Sequence, residues 1–195
     1  MEKLVQPIQR LSPILQTERL VLDYFKSSDA AEAYASITPS LTRFMAWDTP
    51  ESEQVFATVW QNWLNNMADH KEYIFVIRHI ERHEFIGLCG LHRLHEEILE
   101  VGIWIRETAH GHHYGHEAVR CIVDYAFNTL GIKALSYPVA EENWSSRKIA
   151  ERLGGKISGH LDKPKYRAVI YEIHAKDFIQ LNARKRLIAI RSCFK

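Results

Sequence analysis

Residues 98–130 are ILEVGIWIRETAHGHHYGHEAVRCIVDYAFNTL, a stretch in which a strand pattern gives way to a helix pattern. Ile98 to Ile105 is almost wholly apolar and too short for a free-standing helix, so we predict a buried strand. Alternation along this strand places Glu100, Gly102 and Trp104 on one face and the other apolar side chains on the opposite face. One carboxylate is therefore expected on an otherwise apolar strand.

The helix pattern begins at about Tyr114 and follows a turn that contains several histidines and two glycines. Apolar residues recur from Val119 to Leu130 at three- and four-residue spacing, and Gly131 suits a left-handed cap at the helix end. Backbone N–H groups at the start of a helix, where the helix dipole is positive, favour phosphate oxygens. This pattern predicts an anion site in the turn. Its residues are His110, Gly111, His112, His113, Tyr114, Gly115 and His116.

Composition indicates one globular domain of ordinary type, because the 195 residues are 46% hydrophobic and 25% charged. Cys89, Cys121 and Cys193 form no CxxC pair, which favours a reducing compartment. The turn histidines have no carboxylate or cysteine at a metal-ligand spacing, so no metal is expected. The N-terminus lacks the apolar core of about 7 residues that a signal peptide needs, and no run approaches about 18 apolar residues. We expect a cytoplasmic protein without a membrane span.

The charge distribution is uneven although the net charge is only +1, which argues against a DNA-binding protein. Residues 27–72 carry seven carboxylates and two cations, a balance that suits attraction of a cationic acceptor. Residues 163–195 carry nine cations and two carboxylates, and their basic end is a candidate contact for RNA or a ribosome. The simpler explanation for both segments is a solvated surface.

The whole chain predicts an α+β domain around one mixed, mostly antiparallel sheet flanked by helices. We expect an N-terminal arm over residues 1–16, the domain over 17–178 and a basic C-terminal tail over 179–195. The predicted order is a strand and two helices, a three-stranded meander, a helix, a strand, a helix and two strands. The second helix is predicted over Glu53 to Met67. Its expected apolar face consists of Val55, Val59, Trp63 and Met67, with Phe56 and Trp60 beside it.

Asn143 belongs to one of the best N-cap residue types and precedes a helical pattern that ends at Gly154. This helix begins one strand after the predicted anion turn. Asn143 and Ser146 are then expected near the end of a strand parallel to the central one, where ligands of open sheets collect.

Four motifs together resemble the GCN5-related N-acetyltransferase (GNAT) superfamily, and within it the branch of ribosomal-protein N-terminal acetyltransferases. They are TERLVLDYF, EFIGLCGL, LEVGIWI followed by HGHHYGHEAVRCIVDYAFNTLGI, and ENWSSRKIAERLGG. The resemblance covers most of residues 17–178. It implies a single GNAT-like domain with acetyl-CoA as the acetyl donor.

The resemblance also implies roles for individual residues. Backbone amides of residues 108–113 would hold the pyrophosphate, with Asn143 and Ser146 near the thioester. The strand edge that would pair with the pantetheine amides is Ile103, Trp104 and Ile105.

Two positions depart from the family pattern, which has a long polar residue at the first place of this turn and a second small residue at the last. Thr108 and His113 stand at these places. An L-residue with positive φ is strained, so we expect His113 to keep a negative φ, and Gly115 to supply the close approach instead.

A mechanism follows from the pKa of the acceptor, because the amine must be neutral to attack the thioester directly. At pH 7 an α-amine costs only about 1 kcal/mol to deprotonate and a lysine about 4.6 kcal/mol. Ser146 is the predicted proton donor to the departing thiolate. Glu100 is the predicted base, acting through water, since burial raises the basicity of a carboxylate. The alternative for Glu100 is a partner for a nearby cation.

The leading hypothesis is thus acetyl transfer to a protein N-terminus, such as that of a ribosomal protein. A small-molecule acetyltransferase acting on a polyamine or aminocyclitol fits the same charge. The departures at Thr108 and His113 also suggest a regulatory module that binds CoA without turnover. The sequence leaves the choice between monomer and dimer open.

Overall fold

The computed structural model of the protein describes residues 14–181. Within these residues one eight-stranded sheet has the order β1-β2-β3-β4-β5-β6-β8-β7. The strands are β1 (Leu15–Gln16), β2 (Leu20–Tyr24), β3 (Glu72–His79), β4 (Phe85–His92), β5 (Leu99–Ile105), β6 (Ala134–Ala140), β7 (Lys156–Asp162) and β8 (Arg167–His174). The β5–β6 pair is parallel and the other pairs are antiparallel. The predicted single α+β domain with a mixed, mostly antiparallel sheet is confirmed.

Helices cover both faces of this sheet. They are α1 (Ala30–Ala35), α2 (Pro39–Thr42), α3 (Glu53–Ala68), α4 (Tyr114–Asn128) and α5 (Trp144–Arg152). Residues 175–181 are also helical. No helix of the described chain is long and apolar enough to cross a membrane.

The predicted segment boundaries differ from the structure at both ends. Residues 1–16 were expected to be an arm, but Leu15 and Gln16 form β1 and pair with Leu22 and Val21 of β2. The expected tail begins inside the helical run 175–181. Its basic residues from Arg184 onward lie outside the described residues, and so does most of the predicted arm.

Two apolar clusters lie on opposite faces of the sheet. Leu99 and Val101 of β5 are buried in the first, together with the stripe of α4, in which Val119, Ile122 and Val123 are fully buried. Trp104 of β5 packs against the second, below α1 and α3. The predicted alternation of β5 and the predicted stripe of α4 are therefore confirmed.

The predicted apolar face of α3 is wrong by a small rotation of the helix. Val55 and Val59 are 45% and 38% exposed, whereas Phe56 is buried. Trp60, Trp63 and Met67 pack in the same cluster as Phe56. Positions 56, 60, 63 and 67 recur at three- and four-residue spacing, whereas the predicted face uses four-residue spacing alone, and they bury the larger aromatic area.

A cleft opens between β5 and β6, and it determines where a ligand can lie. The two strands pair only at Leu99↔Leu135 and Glu100↔Ser136, although both continue beyond these residues. On the other side β5 stays paired with β4 as far as Ile105. The two strands therefore diverge from Glu100 onward, and we call the space between them the β5–β6 cleft.

Candidate active site

The backbone of β5 faces the β5–β6 cleft with every second residue. The Arg106 N–H donates to the Ile86 carbonyl, which continues the β4–β5 register. Because hydrogen-bonded pairs alternate in an antiparallel ladder, Trp104 points its N–H and C=O towards β4. Ile103 and Ile105 point theirs into the cleft. Of the predicted strand edge, these two residues are positioned to pair with a ligand, and Trp104 contributes its side chain.

A groove of about 690 Å³ runs along this edge, past the start of α4 and along α5. We call it the cofactor groove. All but one of the sequence-predicted cofactor residues line it. The lining residues among them are Ile103, Trp104, Ile105, His110, Gly111, His113, Tyr114, Gly115, His116 and Asn143. The exception is His112, whose exposed ring stacks on Tyr114 with 5.5 Å between ring centroids.

The turn before α4 presents free backbone donors to this groove. Within residues 14–181, the N–H groups of residues 111–115 have no hydrogen-bond acceptor, whereas the N–H groups of His110 and Glu117 bond to the Glu107 and His113 carbonyls. Unpaired N–H groups at the positive end of a helix dipole suit anionic oxygens. The turn thus presents donors that an anion could accept from, and its role as an anion site stays a prediction.

The predicted negative φ of His113 is wrong. His113 is the N-cap of α4 with φ 63° and ψ 13°, and Gly111 has φ 82°. The chain passes from a short 3-10 turn at Glu107–Ala109 into α4 over few residues, and it does so with two left-handed residues. A non-glycine residue in this conformation costs roughly 1 kcal/mol or more.

Gly115 makes a close approach, as predicted, but to the protein itself. A Cβ at this position would lie 3.3 Å from Ile149 Cδ1 and 3.5 Å from Ile105 Cγ1. The missing side chain therefore lets α4 pack against β5 and α5 beside the groove.

The turn also binds the β5 edge through a side chain. His110 Nε2 lies 2.7 Å from the Ile105 carbonyl oxygen, so this nitrogen carries the proton and donates it. One of the two backbone carbonyls that face the cofactor groove is already hydrogen-bonded in this way.

Asn143 and Ser146 lie where α5 begins, at the end of β6. The Ser146 N–H donates to Asn143 Oδ1 at 3.1 Å, so the predicted N-cap is confirmed. The Ser146 hydroxyl lies 3.3 Å from the Tyr137 hydroxyl of β6. Burial raises the pKa of the Tyr137 phenol well above its usual range, although the bond to Ser146 opposes this. Tyr137 therefore keeps its proton and can donate it to Ser146 Oγ.

A second cavity, of about 360 Å³, lies on the other side of the β5–β6 cleft. We call it the acceptor pocket. Its aromatic walls are Phe44, Trp47, Trp63, Trp104, Tyr137 and Tyr166. His92, Glu100 and Lys163 add polar groups. Trp104, Asn143 and Ser146 line both cavities, so the acceptor pocket and the cofactor groove meet beside the Ser146 hydroxyl.

Glu100 reaches the acceptor pocket but has a partner. Its carboxylate lies 3.3 Å from the Arg93 guanidinium, and its side chain is 29% exposed. The alternative that the sequence left open for Glu100, a nearby cation, is therefore present. Burial raises the pKa of the neighbouring Tyr166, and the charge of Glu100 adds to this. The role of Glu100 as a base stays a prediction.

The acidic segment 27–72 makes many internal ion pairs. Five of its seven carboxylates have a basic partner, four of them a Lys or Arg, including Arg78 of β3 and Lys165 of the β7–β8 turn. These five are Asp29, Glu32, Asp48, Asp69 and Glu72, the last of which is paired with His92. Asp29 and Glu32 share the single charge of Arg78, so these ion pairs neutralise only part of the predicted negative charge.

The turn histidines do not converge on a common point, since His110 binds Ile105 and His112 stacks on Tyr114. Among the residues that the structure describes, no three or more His, Cys, Asp or Glu side chains form a group able to hold a metal ion.

Several functional candidates carry no local sequence signal. Tyr137 is found only through the position of β6 beside α5, and Trp47, Lys163 and Tyr166 lie in loops or turns far apart in the chain. Alternation along EFIGLCGLHRL places His92 on the face of Gly90, but its partner, Glu72, comes from another strand, β3.

Comparison with known proteins agrees with this geometry. The family described as "Acetyltransferase (GNAT) domain" matches residues 19–156. The "Uncharacterized N-acetyltransferase YoaA" of Bacillus subtilis is 24% identical over 157 residues, which cover 79% of this chain and 89% of that relative. A spermidine N-acetyltransferase from Vibrio cholerae, solved with CoA and spermine, has a TM-score of 0.73 at 19% identity. The matched region covers 84% of this chain and 99% of the spermidine N-acetyltransferase chain.

A ribosomal-protein-S5-alanine acetyltransferase from Vibrio fischeri has a TM-score of 0.71 at 15% identity, with 84% of this chain and 97% of that chain covered. The chain therefore belongs to the GNAT family of acetyltransferases, and the predicted superfamily is confirmed. It is an acetyl-CoA-dependent N-acetyltransferase. The two solved structures share its fold.

Proposed function

We propose that this enzyme transfers the acetyl group of acetyl-CoA to the N-terminal α-amine of a protein, by direct attack of the amine on the thioester. The observation that carries the proposal is the meeting of the cofactor groove and the acceptor pocket beside Ser146. A thioester and an amine that enter from opposite sides of the β5–β6 cleft would come together there.

Acetyl-CoA fits the cofactor groove through contacts that are mostly to the backbone. We assign the pyrophosphate to the free amides of residues 111–115. The pantetheine amides would pair with the cleft-facing edge of Ile103 and Ile105, and the thioester would lie near Asn143 and Ser146. The bound donor supplies an activated acyl carbon.

Ser146 is the proposed proton donor to the thiolate that leaves. Its own hydroxyl is supported by Tyr137, whose raised pKa keeps it protonated. The N–C bond forms as the C–S bond breaks, and the sulfur takes the Ser146 proton.

Direct attack needs no covalent acyl-enzyme. The two cysteines of the described chain are also poorly suited to act as its nucleophile. Burial raises the pKa of Cys89 far above its usual range. It also raises the pKa of Cys121 to about 11. Both thiols therefore stay protonated near neutral pH, and a protonated thiol is a poor nucleophile.

The α-amine is favoured as the acceptor because it needs about 3.5 kcal/mol less free energy than a lysine to lose its proton at pH 7. Basic termini such as those of ribosomal proteins are the proposed natural acceptors, in a cytoplasmic setting. Since most of the acidic segment is ion-paired internally, downstream Lys or Arg should add only a small preference, which salt would screen.

A polyamine is the second candidate acceptor, because the fold is shared with an enzyme that was solved with spermine in place. The test compares kcat/KM for a basic peptide with a free terminus, for the same peptide with a blocked terminus, and for spermidine. We expect the free peptide to exceed the blocked one by over about 100-fold.

Equal rates on the blocked peptide, or a faster rate on spermidine, would overturn the N-terminal acceptor. Tight acetyl-CoA binding without transfer to any amine would instead favour a regulatory CoA-binding module.

A further inference from the structure

His92 lines the acceptor pocket from the sheet side. It is the last residue of β4 and stands opposite Glu72 of β3 and Glu100 of β5. Gly90 and Gly102 face each other across β4 and β5 in the next position of the same face. A Cβ at Gly90 would lie 2.5 Å from His92 Nε2, and one at Gly102 would lie 3.2 Å from it. The imidazole thus fills the space that the two glycines leave.

One nitrogen of this ring is fixed by a carboxylate. His92 Nδ1 lies 2.6 Å from Glu72 Oε2, and Glu72 Oε1 accepts a second hydrogen bond from Asn66 of α3 at 2.9 Å. Burial would raise the pKa of Glu72, but the bonds from His92 and Asn66 outweigh burial and hold it below its usual range. Glu72 is therefore ionised, Nδ1 carries the ring proton, and the lone pair of a neutral His92 is on Nε2.

Nε2 lies over Gly90 and Gly102, beyond the level at which the β5–β6 ladder ends. The ring begins level with Glu100, where the β5–β6 ladder ends, and Nε2 reaches Gly102 two residues further along β5. Within residues 14–181 this nitrogen has no hydrogen-bond partner. His92, Gly102 and Ser146 line the same pocket. A nitrogen lone pair and the proposed Ser146 donor thus lie on different walls of the acceptor pocket.

We propose that His92, oriented by Glu72, is the general base that takes the proton of the acceptor amine. This inference rests on the proposed function. As the amine nitrogen bonds to the acyl carbon and the C–S bond breaks, His92 Nε2 takes the amine proton and the sulfur takes the Ser146 proton. His92 then releases its proton to water and Ser146 regains one, so the enzyme returns to its starting state. Glu72 acts through His92 and is a positioning residue.

The geometry favours His92 over Glu100 for this role. The carboxylate of Glu100 is paired with Arg93, whereas the single partner of His92 leaves Nε2 available. The unperturbed pKa of an imidazole is about 6.5 and that of a glutamate carboxylate is about 4.3. The imidazole value is closer to the α-amine value of about 7.7 to 8.0, so an imidazole is the better matched base.

The charged groups that face His92 set the sign of its pH response. Glu72 and Glu100 flank it from β3 and β5, and Lys163 and Tyr166 share its pocket. Arg93 offsets part of the charge of Glu100. Removing the carboxylate of Glu72 removes a group that stabilises the protonated imidazole, so the ascending limb of the pH–rate profile should move to lower pH.

The experiment measures kcat/KM against pH, with the free-terminus peptide as acceptor, for the wild-type enzyme and four variants. His92→Gln should lose about 100-fold or more and keep only the ascending limb that the acceptor amine itself contributes, and Glu72→Gln should show a smaller loss with the limb of the enzyme at lower pH. Glu100→Gln should retain the limb. His95→Gln makes the same change at an exposed histidine outside both cavities and should match the wild type.

A second measurement separates chemistry from folding. Added imidazole should restore part of the activity of His92→Ala, because the glycine floor leaves room for it, and acetyl-CoA affinity by calorimetry should stay at the wild-type value. If Glu100→Gln lost the ascending limb that the enzyme contributes to kcat/KM and His92→Gln kept it, Glu100 would be the base. That result would overturn the proposal. A His92→Gln rate within a few-fold of wild type would also overturn it. Failure of the proposed function would differ, since the wild-type enzyme itself would then transfer to no amine.

Discussion

The two halves of the active site are built in different ways. The cofactor groove is centred on one continuous stretch, the β5 edge and the turn into α4, and α2, the loop after it and α5 complete its walls. Its main internal contact joins His110 to Ile105, five residues away. The acceptor pocket combines strands, helices and loops from across the chain. Lys165 of the β7–β8 turn holds the loop after α2 through the Thr42 and Trp47 carbonyls and through Asp48. The first half depends on backbone groups, and the second depends on side chains.

Because the two halves are built differently, they should tolerate side-chain variation to different extents. Backbone amides bind phosphate whatever side chains they carry, so Thr108 and His113 can depart from the family pattern without removing the donors. A pocket made of side chains changes its ligand when a single residue changes. We therefore expect the two halves to respond separately to mutation, and the predictions below test that separation.

Ser146→Ala should cause the largest effect at the junction of the two halves. The hydroxyl matters when the thiolate forms rather than when acetyl-CoA binds, so kcat should fall by about 100-fold or more with acetyl-CoA affinity near wild type. Steady-state kinetics and calorimetry measure the two quantities. The helix cap is kept, because Asn143 accepts from the Ser146 backbone N–H. An unchanged kcat would leave Ser146 with a structural role alone.

Lys165→Ala should loosen the acceptor pocket more than the cofactor groove, which shares Phe44 and Met45 of this loop but keeps its backbone amides. The lost ammonium leaves two backbone carbonyls and Asp48 without this donor, and charged hydrogen bonds of this kind contribute roughly 1.5 kcal/mol. We expect the KM for the amine to rise about tenfold, while the Kd for acetyl-CoA stays within twofold.

Lys156→Ala is the matched control for that change, because it removes an exposed lysine whose partner is Asp177. It should alter neither constant. If Lys165→Ala weakened acetyl-CoA binding as much as acceptor binding, the two halves would not be independent.

The same division explains what the sequence could predict. The strand, the turn and the helix start at the centre of the cofactor groove are contiguous, so periodicity located the turn, and the family resemblance added the strand edge. The groove residues of α2 and of the loop after it were not predicted. The contacts of His92 with Glu72 and of Tyr137 with Ser146 depend on strand register and on helix placement, which no local pattern specifies. On α3 two adjacent faces share Trp63 and Met67, and only packing against α1, where the ring of Phe56 lies 5.9 Å from that of Tyr34, decided between Phe56 and Val55.

The conformation of His113 was missed for a related reason. Steric preference alone gives a histidine a negative φ, but the short path from Glu107–Ala109 into α4 requires a left-handed residue at the N-cap. Tertiary geometry overrides local preference at this position, and it does so at a cost in stability.

His113→Gly should therefore make the smallest change, a gain in stability at the centre of the cofactor groove. Glycine adopts the left-handed conformation without the cost of roughly 1 kcal/mol or more that a histidine pays. It also adds conformational freedom to the unfolded chain, so the net gain in the free energy of unfolding should be several tenths of a kcal/mol. Thermal or denaturant unfolding measures it. His112→Gly is the control, since His112 has no positive φ to relieve and should only lose stability. Acetyl-CoA affinity should stay within about twofold in His113→Gly, because the amide at this position is retained. A large fall in that affinity would show that the imidazole itself binds the cofactor, and the groove could then no longer be described as a site made by the backbone.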